Sequence, residues 1–113
     1  MSNHTGSDAL TVRVERSGLR REIWLDGELD GGEVRHLQQL LDDAGTGEQV
    51  VVRTSGLSFV DSMGLRLVVE WHRRLEELEG RLVLHEPSDA LRRLLEVTGL
   101  DEVVHVEDTP TDQ

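Results

Sequence analysis

The chain has 113 residues, a single domain's length, with no cysteine, no lysine and no tyrosine, and a formal charge of −11. Without cysteine there are no disulfides, thiolate nucleophiles, zinc–thiolate sites or iron–sulfur clusters; without lysine there is no P-loop lysine and no Schiff base. The acidic balance and a set of only three aromatic residues, Trp24, Phe59 and Trp71, speak against a nucleic-acid partner, which would call for a basic surface and stacking platforms.

An acidic surface suits solubility and attraction to basic patches on partner proteins. No apolar run approaches the roughly 20 residues that span a bilayer. Residues 1–6 lack the basic and apolar regions of a secretory signal. A cytoplasmic protein without a membrane partner is expected.

In chain order, residues 1–9 are polar and read as a frayed N-terminal tail. Leu10, Val12 and Val14 alternate with Thr11, Arg13 and Glu15, the period of a half-exposed strand. Ser17 and Gly18 turn the chain, and Glu22-Ile23-Trp24-Leu25 follows as the hairpin partner. The stretch Gly27-Glu28-Leu29-Asp30-Gly31-Gly32 is expected to break that strand, with Asp30 close to the exposed N–H groups of the next helix. Val34, Leu37, Leu40, Leu41 and Ala44 share one helical face, closed by Gly45-Thr46-Gly47.

Val50-Val51-Val52 is a continuous apolar run of the kind found in central parallel strands. Leu65, Val68, Val69, His72, Leu75 and Leu78 mark a long helix stopped at Gly80. Leu82-Val83-Leu84 is a further buried strand. Pro87-Ser88 opens a helix carrying Leu91, Leu94 and Leu95, with Gly99 as its C-terminal stop. Val103-Val104-His105-Val106 closes the domain, and 107–113 read as a C-terminal tail. Strands alternating with helices after an initial hairpin predict an α/β fold: one domain over 10–106, a mixed, mostly parallel sheet with an N-terminal antiparallel hairpin, and helices packed on its surface.

Enzymatic readings fare poorly. Ser62 lacks the G-x-S-x-G elbow that exposes a hydrolase nucleophile, leaving a serine hydrolase as a remote alternative. The histidines at 4, 36, 72, 85 and 105 never take a His-x-x-x-His spacing, so neither a helical zinc motif nor any other metal site is expected. The glycine-rich turn at 27–32 does not fit G-x-G-x-x-G, and Glu28 and Asp30 would repel a pyrophosphate. No catalytic residue and no cofactor is assigned.

What remains is Asp61-Ser62-Met63-Gly64-Leu65 at the mouth of the long helix. Either Ser62 or Asp61 suits the N-cap. A hydroxyl there, at the positive end of the helix dipole, can cap the helix, bind an anion or carry a phosphate. Gly64 costs about 1 kcal/mol of helix propensity relative to alanine, and its bare backbone is expected to let another protein approach the helix tip.

These residues resemble the STAS domain of bacterial anti-sigma-factor antagonists. The resemblance rests on Gly27-Glu28-Leu29-Asp30, on Phe59-Val60-Asp61-Ser62-Met63-Gly64-Leu65 and on Thr98-Gly99-Leu100, and it spans residues 10–106. It implies a non-enzymatic partner-switching protein. The unphosphorylated form binds an anti-sigma factor that is also a serine kinase of the GHKL ATPase type, freeing a sigma factor; phosphorylation ends the complex and a phosphoserine phosphatase resets it. By resemblance Ser62 is the phosphoacceptor, and Asp30, Asp61, Ser62, Met63, Gly64 and Leu65 form the partner-binding site. A STAS adaptor without a switch, or a ligand-sensing module, is the alternative. Two positions depart from the family pattern: Met63 stands where a small residue is common, and Arg53 where an acid or amide is. Arg53 is expected near the C-terminal end of its strand, the same end as Ser62, in reach of Asp30, Asp61 or a phosphate.

Overall fold

The structure, a computed structural model, describes residues 9–108 in full and the backbone of 2–6. One six-stranded sheet runs in the order β1-β2-β3-β4-β5-β6. Its strands are β1 (Ser2–Gly6), β2 (Leu10–Ser17), β3 (Arg20–Leu29), β4 (Gln49–Val60), β5 (Arg81–His85) and β6 (His105–Glu107). Helices α1 (Gly31–Asp42), α2 (Ser62–Glu77) and α3 (Asp89–Thr98) connect the parallel strands, and a short 3₁₀ turn (Leu100–Glu102) precedes β6. β1, β2 and β3 are antiparallel neighbours; β3 to β6 are parallel. The mixed α/β sheet and its hairpin are as the hydrophobic periods predict.

The alternation in β2 and β3 divides the sheet into two faces. Leu10, Val12, Val14, Ile23 and Leu25 join Val50, Val52, Leu82 and Leu84 in one core with Leu37 and Leu41 of α1 and Leu91 and Leu95 of α3. From α2 the core takes Leu65, Leu67, Val68, Trp71 and Leu75. Trp71 and Leu67 were not on the apolar face read from the sequence, yet both are almost fully buried. On the opposite face one register row places Arg13, Trp24, Arg53 and His85 side by side across four strands. The Arg13 guanidinium lies 3.8 Å above the Trp24 ring, a cation–π contact that shields this apolar surface with a charge.

Several boundaries differ from expectation. Residues 2–6, expected within a frayed tail, pair with β2 as an edge strand; main-chain hydrogen bonds hold an edge without any apolar face of its own. At the other end Glu107 belongs to β6 and Asp108 accepts a hydrogen bond from Arg92 at 2.7 Å, while residues 1, 7, 8 and 109–113 of the expected tails lie outside the described residues. The glycine-rich stretch does not break β3, which continues to Leu29. Gly27, at φ +115°, instead absorbs a register shift against β4, and a Cβ there would collide with the Ala9 carbonyl oxygen. α2 ends through Glu79 in the left-handed conformation, φ 60°. Gly80 serves a close approach, since a Cβ on it would overlap the Glu48 carbonyl. Val103 is exposed and precedes the last strand instead of opening it.

Candidate functional site

Parallel pairing of β3 with β4 sets Leu29 opposite Val60. The next residue of each strand is therefore a helix cap, and the two caps are Asp30 and Asp61. Asp30 Oδ1 accepts hydrogen bonds from the backbone N–H groups of Gly32 and Glu33 at 3.0 and 3.1 Å. Asp61 Oδ1 accepts from Gly64 N–H at 2.9 Å, closing the first turn of α2. Its Oδ2 accepts from Gly31 N–H at 3.1 Å, in the first turn of α1. One carboxylate thus joins the N-termini of both helices, and each oxygen takes one of the N–H groups that a helix start leaves unpaired.

Of the two N-cap candidates, Asp61 holds the role, with extended backbone at φ −101°, ψ −176°. Ser62 becomes the first helical residue. It is exposed, and among the described residues nothing is hydrogen-bonded to its Oγ. Capping is thereby assigned to Asp61, and the serine hydroxyl stays open to solvent at the positive end of a 16-residue helix. No histidine among the described residues hydrogen-bonds it: His36 lies 3.8 Å from Glu33, His85 beside Arg53, and His72 against His105. The geometry supplies an accessible acceptor without a general base.

The remaining residues of the motif divide by burial. Met63 is 47% exposed, and Phe59, on the other side of Ser62 in sequence, is 48% exposed. Both leave apolar area open to solvent within three residues of Ser62 in sequence, while the base of Met63 rests over Gly31, whose added Cβ would lie 3.4 Å from Met63 Cγ. Gly64 and Leu65 are buried. A Cβ at Gly64 would lie 2.6 Å from the Leu29 carbonyl oxygen and 2.8 Å from Leu29 Cγ. The missing side chain admits the end of β3, not an approaching protein, which corrects the reading from sequence. Gly64 and Leu65 act by seating the helix tip.

Arg53 is not part of this cluster. β4 continues past it to Val60, and it projects from the face bearing Trp24. Its Nε and Nη2 donate to Glu22 Oε2 at 3.0 and 2.8 Å, and its Nη1 lies 3.1 Å from His85 Nδ1. The expected pairing with Asp30, Asp61 or a phosphate is replaced by a cross-strand ion pair. The arginine one turn along the helix from Ser62 is Arg66, exposed and only loosely paired with Glu70 at 3.8 Å. Its i,i+4 spacing was a usable signal in the sequence.

The chain is similar to known proteins in both sequence and fold. A family profile described as "Mlab, STAS domain" matches residues 12–106. An anti-sigma F factor antagonist of Lysinibacillus sphaericus is 37% identical over 81 residues, covering 69% of this chain and 69% of the relative. An anti-sigma-B factor antagonist of Listeria monocytogenes is 31% identical over 94 residues, covering 81% and 82%. Among solved structures, the anti-sigma factor antagonist SpoIIAA in its unphosphorylated form superposes with a TM-score of 0.74 at 27% identity, covering 88% of each chain. The Bacillus cell fate determinant SpoIIAA in its phosphorylated form does so at 0.70 and 28% identity, covering 88% of this chain and 91% of that one. With a profile match over most of its length, and an exposed serine directly after one of its two paired caps, this chain belongs to the STAS domain family.

Proposed function

We propose that the chain is an anti-sigma-factor antagonist whose binding is switched by phosphorylation of Ser62. The unmodified protein engages an anti-sigma factor that is also a serine kinase of the GHKL type; phosphate transfer to Ser62 ends the complex, and a phosphoserine phosphatase restores it. The role is regulatory and asks for no catalytic residue or cofactor of its own. The observation that carries this reading is the exposed, unengaged Ser62 hydroxyl at the first position of α2, with capping already supplied by Asp61.

The electrostatics favour release over refolding. A phosphate adds about −1.5 to −2 charges at neutral pH. The helix dipole favours that charge by about 0.3–1 kcal/mol, so the isolated domain tolerates it. In a complex the same charge, beside Asp30 and Asp61, must be desolvated or face acidic groups of the partner, at a cost of several kcal/mol. Phe59 and Met63 provide the apolar part of the docking surface and Ser62 its centre. Asp30, Asp61, Gly64 and Leu65 hold that surface in shape.

Incubation with the cognate kinase and ATP, followed by peptide mass spectrometry, tests the site. Phosphate on the Ser62 peptide, absent in Ser62→Ala, is expected. Phosphate elsewhere, or on no residue, would overturn the switch and leave a STAS adaptor.

A further inference from the structure

The fold gathers a group that the spacing of the histidines conceals. His72 and Glu76 lie one turn apart on α2, and His105 opens the edge strand β6. Each offers one ligand atom, and the three atoms lie within 4.8 Å of one another. His105 Nε2 is 3.8 Å from Glu76 Oε2. The two imidazoles meet edge to face, with centroids 5.8 Å apart and planes at 62°.

We propose that His72, Glu76 and His105 form a binding site for a divalent transition-metal cation, with zinc the best-matched ion. Two imidazoles and one carboxylate are a borderline donor set that suits zinc, and three protein ligands leave a fourth position for water. Zinc–ligand bonds of about 2.0–2.2 Å put tetrahedral donor atoms about 3.3 Å apart, so the cluster must contract slightly. Glu76 is exposed and His105 half-buried, and both can rotate inward without disturbing the core. His72 also carries a polar atom without a partner: its Nδ1 is buried and, among the described residues, makes no hydrogen bond. A buried imidazole nitrogen without compensation is unusual. The approach of His105 to Glu76 and the ring contact leave that nitrogen unpartnered.

The site differs in position and chemistry from the Ser62 surface. It joins the C-terminal half of α2 to a three-residue strand otherwise paired with β5 alone. A bound cation therefore acts as a cross-link, stabilising the edge of the sheet by mass action.

The test uses the full chain, freed of metal by a chelator and titrated calorimetrically with Zn²⁺. One equivalent should bind in the micromolar range or tighter. At zinc a hundredfold above Kd, the thermal midpoint should rise by about 5–15 °C. Glu76→Gln and His105→Asn should each weaken binding at least tenfold with unchanged far-UV circular dichroism. Glu76→Gln changes an exposed helix position and so separates loss of a ligand from loss of fold. His36→Asn, at another imidazole near a glutamate, should bind as the parent does. Failure to saturate at one equivalent, parental affinity in both Glu76→Gln and His105→Asn, or loss of binding in His36→Asn would overturn the site.

Discussion

Asp61 is the residue on which the candidate surface turns, because its two oxygens serve two helices. Asp61→Ala removes the α2 cap and the tie to Gly31 together, and should cost about 1–2 kcal/mol by urea denaturation. Asp61→Asn, which keeps an acceptor for only one of the two N–H groups, should fall between it and the parent. Gly64 makes the complementary point. Alanine there gains helix propensity but must displace the Leu29 carbonyl at 2.6 Å, for a net loss of about 1–3 kcal/mol. Gly45→Ala, with nothing within 4 Å of the added carbon, should be neutral or slightly stabilising. At this scale the sequence was informative about caps, since Asp before a helix has a local meaning. It could not show that Asp61 reaches Gly31, or that Gly64 meets Leu29, because both partners are some 30 residues away and the contacts arise from parallel pairing.

The strands and helices were legible where a period persists. β2 alternates cleanly, and α3 carries both Ser88 as its cap and Gly99, at φ 77°, as its stop. Legibility failed where a strand is irregular. Two register shifts accompany the run of β3 through Gly27, which read as a break, and the run of β4 well past Val52. That extension carried Arg53 away from the strand end and turned it toward Glu22, so its role was misread. Arg53→Ala should lower stability by about 1 kcal/mol, through the loss of a part-buried charged hydrogen-bond pair. Kinase-catalysed labelling of Ser62 should proceed as in the parent. A changed labelling rate at equal stability would return Arg53 to the site.

Across the molecule, one buried ion pair links the hairpin to the loop before β4. Arg21 is fully buried and donates from Nη2 to Glu48 Oε1 at 2.9 Å. Burial pushes its guanidinium pKa down from the ordinary value, against the opposing pull of Glu48. Position 21 falls on the core side of β3 by alternation alone, but only the tertiary fold brings Glu48 to it, 27 residues on. Glu48→Ala leaves that charge buried without its partner and should cost about 3–5 kcal/mol, read from the urea midpoint. The Arg21→Met, Glu48→Leu double variant should recover most of the loss. The buried pair and Ser62 lie at opposite ends of β4, and the proposed switch acts at the interface and not through the fold.

The direct test is the affinity of the cognate anti-sigma kinase for this chain, unmodified and stoichiometrically phosphorylated at Ser62, measured side by side at one salt concentration. An interface penalty of about 3 kcal/mol predicts roughly hundredfold weaker binding by the phosphorylated form, with both forms giving the same circular dichroism. Equal affinities for the two forms would contradict the switch.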